Sequence, residues 1–194
     1  MKDETIGNQQ ETLKKTDLAW LAGIIEGEGW ITMTAYKSPK KTWAGGYVIT
    51  PRIGVCNTDA GIIRKARQIF DKLGTNNYIT EHTETRPGSG FGTTMLQVTT
   101  NRLDTVRNIL ISIMPYMAGQ KLHRAELVLD YVSKRLAHKF EPYTQGEVNL
   151  AGRFMQECIS TKGKKRATSL SGFLRDFTPS VPLKTNEKGQ FLAR

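Results

Sequence analysis

The sequence predicts an α+β fold in which a four-stranded antiparallel sheet carries helices on one face, with a C-terminal helix and a basic tail beyond it. Three observations predict it. The residue pattern runs helix, two strands, helix, two strands, helix, an αββαββα order that is a weak internal repeat. Each strand pair is joined by a turn-rich segment and so reads as a hairpin. Each of the first two strands alternates apolar with polar residues, as a sheet does when only one face is buried. The division that follows is a polar leader (1–15), a single domain (16–161) and a basic tail (162–194).

The elements follow in order. Thr16 or Asp17 can cap a first helix whose Leu18, Leu21, Ala22 and Ile25 fall at i, i+3, i+4 and i+7. On its other side Ala19, Gly23 and Gly27 recur every four residues. Interior glycines weaken a helix by up to ~1 kcal/mol each against Ala, so this stripe of minimal side chains points to close packing against a second backbone. The helix should stop over Gly27 to Gly29. A strand follows, with Thr32, Thr34 and Tyr36 on one face and Ile31, Met33 and Ala35 on the other; a turn rich in Lys, Pro and Gly (37–46) leads to a second, about Tyr47 to Cys56, in which Thr50 and Arg52 oppose Ile49, Ile53 and Val55. Asn57 or Thr58 then caps a helix with Ile62, Ile63, Ala66, Ile69, Phe70 and Leu73 on its apolar side, ended by Gly74. Two more strands, Tyr78 to Thr85 and Thr93 to Thr100, flank the loop RPGSGFG. Helices are expected at 101–113, 119–136 and 146–161.

Composition narrows the function. The chain has 194 residues, 38% apolar and 24% charged, an ordinary globular balance that excludes wholesale disorder or a fibrous repeat. Its apolar run from Leu18 to Ile25 is too short to span a bilayer, and the leader does not read as a signal peptide, so no membrane partner is expected. Cys56 and Cys158 form no CxxC pattern, which argues against a zinc module or a disulfide framework and for a reduced, intracellular setting. The net charge of +10 favours a polyanionic partner. Eight basic against two acidic residues lie in 162–194, so the tail is either a solvated basic segment or an arm for phosphates. The outer sheet face would carry Thr32, Thr34, Tyr36, Thr50, Arg52, Thr80, His82, Gln97 and Thr99. Hydroxyls, amides and cations on strands suit a sheet laid in a DNA groove, although a merely solvated face would alternate equally well.

Where the first helix meets the first strand, an acid sits between glycines: Leu21 Ala22 Gly23 Ile24 Ile25 Glu26 Gly27 Glu28 Gly29. An acid there has no bulky neighbour to block a metal or a phosphate backbone, and the Gly27 carbonyl is freed as a hard oxygen ligand. A Mg²⁺ held by one or two such oxygens can activate water and neutralise charge on a phosphodiester. This segment resembles the LAGLIDADG motif position for position, with changes only at Leu/Ile, Asp/Glu and Ala/Gly. With the order of elements, the chain is similar to the LAGLIDADG homing endonucleases over roughly residues 16–136.

The resemblance implies the LAGLIDADG fold, its sheet forming a DNA-binding saddle, and a site-specific endonuclease that hydrolyses phosphodiesters with a divalent metal, Mg²⁺. It implies that Glu28 binds the catalytic metal, with Gly27 supplying a carbonyl, while Glu26 is structural. It implies a lysine that supports a metal-bound water or developing charge, a position Lys121 fits, and a polar residue ordering water at the end of the second strand, where Asn57 stands. Arg52 or Arg64 could add cationic support. Since one motif supplies one metal acid and a duplex has two strands, the resemblance implies a homodimer. Its two motif helices would cross at Ala19, Gly23 and Gly27, with both Glu28 residues over the central minor groove of a near-palindromic site. A non-cleaving nucleic-acid-binding protein on this fold, such as an intron maturase or transcription regulator, is the alternative. A small-molecule hydrolase using Glu26 and Glu28 together is disfavoured, because residues two apart at a helix end point differently. The second LAG, Leu150 to Gly152, lacks the acidic end and reads as part of a terminal helix.

Overall fold

In the computed structural model, residues 13–37, 47–74, 78–85, 92–139 and 141–158 are described, those at 37, 78–85 and 92–94 by backbone alone. Most of the expected leader, the 38–46 turn, most of the RPGSGFG loop and the basic tail lie outside the described residues. The elements run α1 (Lys15–Glu28), β1 (Gly29–Lys37), β2 (Tyr47–Asn57), α2 (Ala60–Leu73), β3 (Tyr78–Thr85), β4 (Gly92–Thr100), α3 (Leu103–Ile113), a 3-10 turn (Met114–Tyr116), α4 (Gln120–Ala137) and α5 (Gln145–Cys158). The αββαββα order is the one read from the sequence. The strands form one antiparallel sheet in the order β1-β2-β4-β3, so the second strand of each hairpin is central and the first is an edge.

Alternation decides which face of the sheet is buried. Ile31 and Met33 of β1, Ile49, Ile53 and Val55 of β2 and Val98 of β4 join one core with Leu21, Ala22 and Ile25 of α1. Ile63, Ala66, Ile69 and Phe70 of α2 and Val106, Ile109, Leu110 and Ile113 of α3 complete it from the helix side. The register sets Thr32 beside Arg52 and Thr34 beside Thr50 on the opposite face, as expected.

Two helix starts differ from the expectation. α1 begins at Lys15, with Lys14 at the cap position and no side-chain cap; Asp17 lies in the first turn, where a negative charge suits the helix dipole, and bridges to Lys65 at 3.5 Å. The cap of α2 is Asp59, not Asn57 or Thr58: its Oδ1 accepts from the Gly61 amide at 2.6 Å, while Asn57 Oδ1 accepts from the Asp59 amide at 2.8 Å. Asn57 therefore turns the chain out of β2, and Asp59 starts the helix. Neither cysteine forms a disulfide.

β2 pairs with β4 only from Ile53 to Asn57, so the first half of β2 presents an open edge. Unpaired backbone groups there need partners. The Tyr143 hydroxyl accepts from the Ile49 amide at 3.1 Å, and the Tyr131 hydroxyl donates to the Ile49 carbonyl at 3.3 Å. Burial raises the pKa of Tyr131, which keeps that donor protonated. Ile49 thus points its polar groups away from β1, and by alternation so does Pro51, whose missing amide proton is lost from an open edge rather than from a ladder. Replacing Tyr143 with Phe should leave the Ile49 amide unsatisfied and lower stability by about 1–3 kcal/mol in urea unfolding.

Candidate functional site

The site is the corner where α1 runs into β1. Gly29 makes the corner possible: its amide donates to the Ile24 and Ile25 carbonyls, and a Cβ there would stand 2.7 Å from the Ile25 Cα and 2.8 Å from the Gly54 oxygen. Only a residue without a side chain fits so close an approach. Glu28, the last residue of α1, is exposed. Gly29 is registered with Val55, so β2 ends at Asn57 beside the end of α1.

The two acids of the motif have different surroundings. Glu26 is half-buried and its Oε1 accepts from the Gly119 amide at 3.0 Å, tying α1 to the start of α4. A Cβ on Gly119 would run into that carboxylate, so Gly119 and Glu26 fit as a pair. Glu28 is left facing solvent with glycine on both sides. Glu28 is the more exposed of the two motif acids, and Glu26 the one with a partner across the α1–α4 joint.

Lys121 stands two residues beyond Gly119 at the start of α4, and its Nζ donates to the carbonyls of Ile25, Glu26 and Gly29, each at 2.8 Å. An ammonium has three protons, and all three are committed. The resemblance implies a lysine that supports a metal-bound water or developing charge; in the structure this ammonium caps the motif helix, satisfying carbonyls that a helix end leaves without partners. Gly27's carbonyl is not among the three. Burial, followed by the charge of Arg124, pushes the Lys121 ammonium below the usual lysine range, while Glu26 and Glu28 oppose that shift. Lys121→Met should lower stability by about 1–3 kcal/mol and speed hydrogen exchange at the Gly29 amide. Any effect on chemistry should exceed the effect on binding, because the corner bearing Glu28 loosens.

The sheet's outer face gathers Thr32, Thr34, Tyr36, Thr50 and Arg52 on neighbouring strands, with Tyr36 49% exposed and Arg52 exposed. Gln97 and Thr99 of β4 face Cys56 and Gly54 across the central pair. The Thr99 hydroxyl donates to the Ile53 carbonyl at 3.2 Å, which turns it toward the sheet backbone. Thr80 and His82 are in register with Gln97 and Met95; their side chains lie outside the described residues. Arg64 is exposed on α2, away from the strand rows.

Ala19, Gly23 and Gly27 are exposed along α1, opposite the buried Leu21, Ala22 and Ile25, and nothing stands within 4 Å of where a Cβ on Gly23 or Gly27 would be. The second LAG differs: Leu150, Ala151 and Gly152 are buried in α5. A cavity of about 370 Å³ lies under the open edge of β2, lined by Ile49, Tyr131, Arg135 and Tyr143 among others, and includes neither motif acid. Among the described residues no group of three or more His, Cys, Asp and Glu could enclose a metal. The corner offers the Glu28 carboxylate and the Gly27 carbonyl, which is not among those that Lys121 takes. That set fits Mg²⁺, which is bound through one or two carboxylates together with substrate phosphates and water.

Sequence reasoning missed Gly119 as the partner of Glu26, and it missed both tyrosines on Ile49. Gly119 carried a signal, a glycine just before an amphipathic helix. The tyrosines carried none, because their role depends on where β4 stops pairing.

At the level of sequence, neither a protein-family model nor a curated protein matches the chain. Comparison of structures finds clear similarity. The homing endonuclease I-CvuI in complex with its target in the presence of Ca matches over 86% of this chain and 98% of its own, at 18% identity and a TM-score of 0.57. The archaeal intron-encoded homing endonuclease I-Vdi141I, complexed with DNA, matches over 83% and 96%, at 15% identity and a TM-score of 0.58. The I-SmaMI LAGLIDADG homing endonuclease bound to cleaved DNA matches over 91% of this chain but 53% of its own, at 13% identity and a TM-score of 0.57. With the Leu21 to Gly29 segment at the α1–β1 corner, these similarities establish that the chain has the LAGLIDADG homing-endonuclease fold.

Proposed function

We propose that this chain is a site-specific DNA endonuclease that acts as a homodimer on a long, near-palindromic site and makes double-strand breaks by metal-dependent hydrolysis. The observation that carries the reading is the pairing of one exposed acid, Glu28, with an exposed stripe of minimal side chains on the same helix. One acid per chain serves one strand. Two chains crossing at Ala19, Gly23 and Gly27 bring two acids together under one two-fold axis. The size relation to I-SmaMI fits this, since one copy of the present chain spans about half of that protein.

In this reading the outer sheet face contacts bases through Thr32, Thr34, Tyr36, Thr50 and Arg52, and residues of β3 and β4, Thr80, His82, Gln97 and Thr99 among them, extend the contact. The net charge of +10 per chain, +6 of it in the tail at 162–194, supplies the attraction to phosphates. Glu28, with the Gly27 carbonyl, would hold Mg²⁺ against the scissile phosphate, and the bound metal supplies Lewis acidity and an activated water. Lys121 fixes the three carbonyls around Glu28 and sends positive potential into the corner. Asn57, at the end of β2 with its Oδ1 taken by the Asp59 amide, would order water beside it through Nδ2.

The interface has a direct test. In a single chain a side chain at Gly23 meets open space, and removing an interior glycine favours the helix by up to ~1 kcal/mol. Gly23→Leu should therefore fold at least as well as wild type yet sediment as a monomer and lose double-strand cleavage. An unchanged mass in solution sinks the interface. For the activity itself, wild-type protein incubated with randomised duplexes and Mg²⁺ should create paired new ends at one sequence. Selective binding without any new ends would move the reading to a DNA-binding protein that does not cut.

A further inference from the structure

Trp30 is the one large apolar side chain at the head of the sheet's outer row, two residues past Glu28. Alternation along β1 puts it on the same face as Thr32, Thr34 and Tyr36 and opposite Ile31 and Met33, which are buried. It is partly exposed, and it is absent from the apolar residues that pack on the core. Its register partner is Gly54. The six-membered ring lies across that glycine: a Cβ on Gly54 would meet Trp30 Cζ2, stand 2.8 Å from Cε2 and be 2.7 Å from the Val98 carbonyl oxygen. The glycine leaves a flat seat in the middle of the sheet, and the indole fills it.

A large ring outside the core, seated on a polar face in a basic protein, offers flat apolar surface to a ligand with apolar surface of its own. Exposed phosphates do not provide one, but base-pair edges and stacked faces do. Proteins that press apolar side chains against base steps partly unstack them, and the energy of doing so depends on the step: pyrimidine–purine steps yield easily, whereas A-tracts are stiff. Resting on the proposed endonuclease reading, we infer that Trp30 is a specificity-determining residue: from its seat on Gly54 it bears on the base step beside the phosphate held at Glu28 and selects deformable sequence there. In the paired molecule two such rings flank the centre of the site. The preference they create is one of shape, at positions where Thr34, Thr50 and Arg52 do not reach.

The test is selection of duplexes from a randomised library without divalent metal, using full-length wild type, Trp30→Ala and Trp30→Phe, with circular dichroism and the thermal midpoint as controls for folding. Wild type should enrich pyrimidine–purine steps at the centre of its site. Trp30→Ala should lose about tenfold of the central discrimination while the flanking preferences stay, and Trp30→Phe should fall between. A central preference in Trp30→Ala equal to wild type overturns the inference and leaves the endonuclease reading intact; no selected site for wild type overturns both. A second measurement needs no variant. 2-Aminopurine at the central step of a selected duplex should brighten several-fold when wild type binds, and unchanged emission in the bound complex overturns the inference.

Discussion

Glu28→Gln is expected to abolish cleavage, by about 10²–10³-fold or more in single-turnover rate, while metal-free DNA binding stays within a few-fold of wild type. The two effects separate because of where Glu28 stands. It is exposed at the last position of α1 and packs on nothing in the core, so the amide should change stability by less than about 0.5 kcal/mol. In the proposed complex without metal the carboxylate would face phosphates of like charge, so its removal should not weaken the encounter. In the proposed site it is the motif acid that would meet the metal, being the more exposed of the two, while Glu26 ties α1 to α4 through the Gly119 amide. Glu26→Gln should therefore show the opposite pattern, with a loosened α1–α4 joint and residual cleavage. Cleavage by Glu28→Gln at the wild-type rate would remove Glu28 from the chemistry.

Arg135→Met is expected to have the largest effect on stability. Arg135 and Glu147 form an ion pair at 3.3 Å whose side chains are 6% and 0% exposed. The guanidinium also donates to the Lys139 and Glu141 carbonyls at 2.9 and 2.8 Å, and lies 4.5 Å from the centre of the Tyr143 ring. Glu147 in turn accepts from the Thr144 amide at 2.6 Å, while its own amide donates to the Thr144 hydroxyl at 3.2 Å, a reciprocal cap that starts α5. Removing the cation strands a fully buried carboxylate. Urea unfolding should register a loss of about 3–5 kcal/mol, a large share of the roughly 5–15 kcal/mol that a domain has in all. Adding Glu147→Leu should recover much of it, because an apolar pair of similar volume avoids the stranded charge. A loss below about 1 kcal/mol from Arg135→Met alone would show that the pair is solvated in solution.

These outcomes also mark how far the sequence could be read. The strands were legible because one buried face forces strict alternation: Ile31 and Met33 against Thr32 and Thr34 could not be assigned otherwise. The α1–β1 corner was legible because the Leu21 to Gly29 segment closes an apolar helix on glycines and strand alternation begins directly after it. Capping was less legible, since Asn57, Thr58 and Asp59 can all accept an amide, and the tight 57–59 turn decides among them. Lys121 was found as a residue but not in its geometry: nothing in its spacing tells an ammonium that meets water from one that meets three carbonyls ninety residues away. The partners of Ile49 were invisible for the same reason. They depend on where β4 leaves β2, which is a property of the sheet and not of any one segment.

The division of labour proposed above gives each chain one acid and one strand to cut. It is tested most directly with a mixed dimer, made by co-expressing differently tagged wild-type and Glu28→Gln chains and purified through both tags, on a supercoiled plasmid carrying the selected site with Mg²⁺. Nicked circles are the expected end product, with wild-type dimer giving linear DNA and Glu28→Gln dimer giving neither. Linear DNA from the mixed dimer at the wild-type rate, or no nicking at all by a mixed dimer that still binds the site, would contradict the assignment of one acid and one strand to each chain.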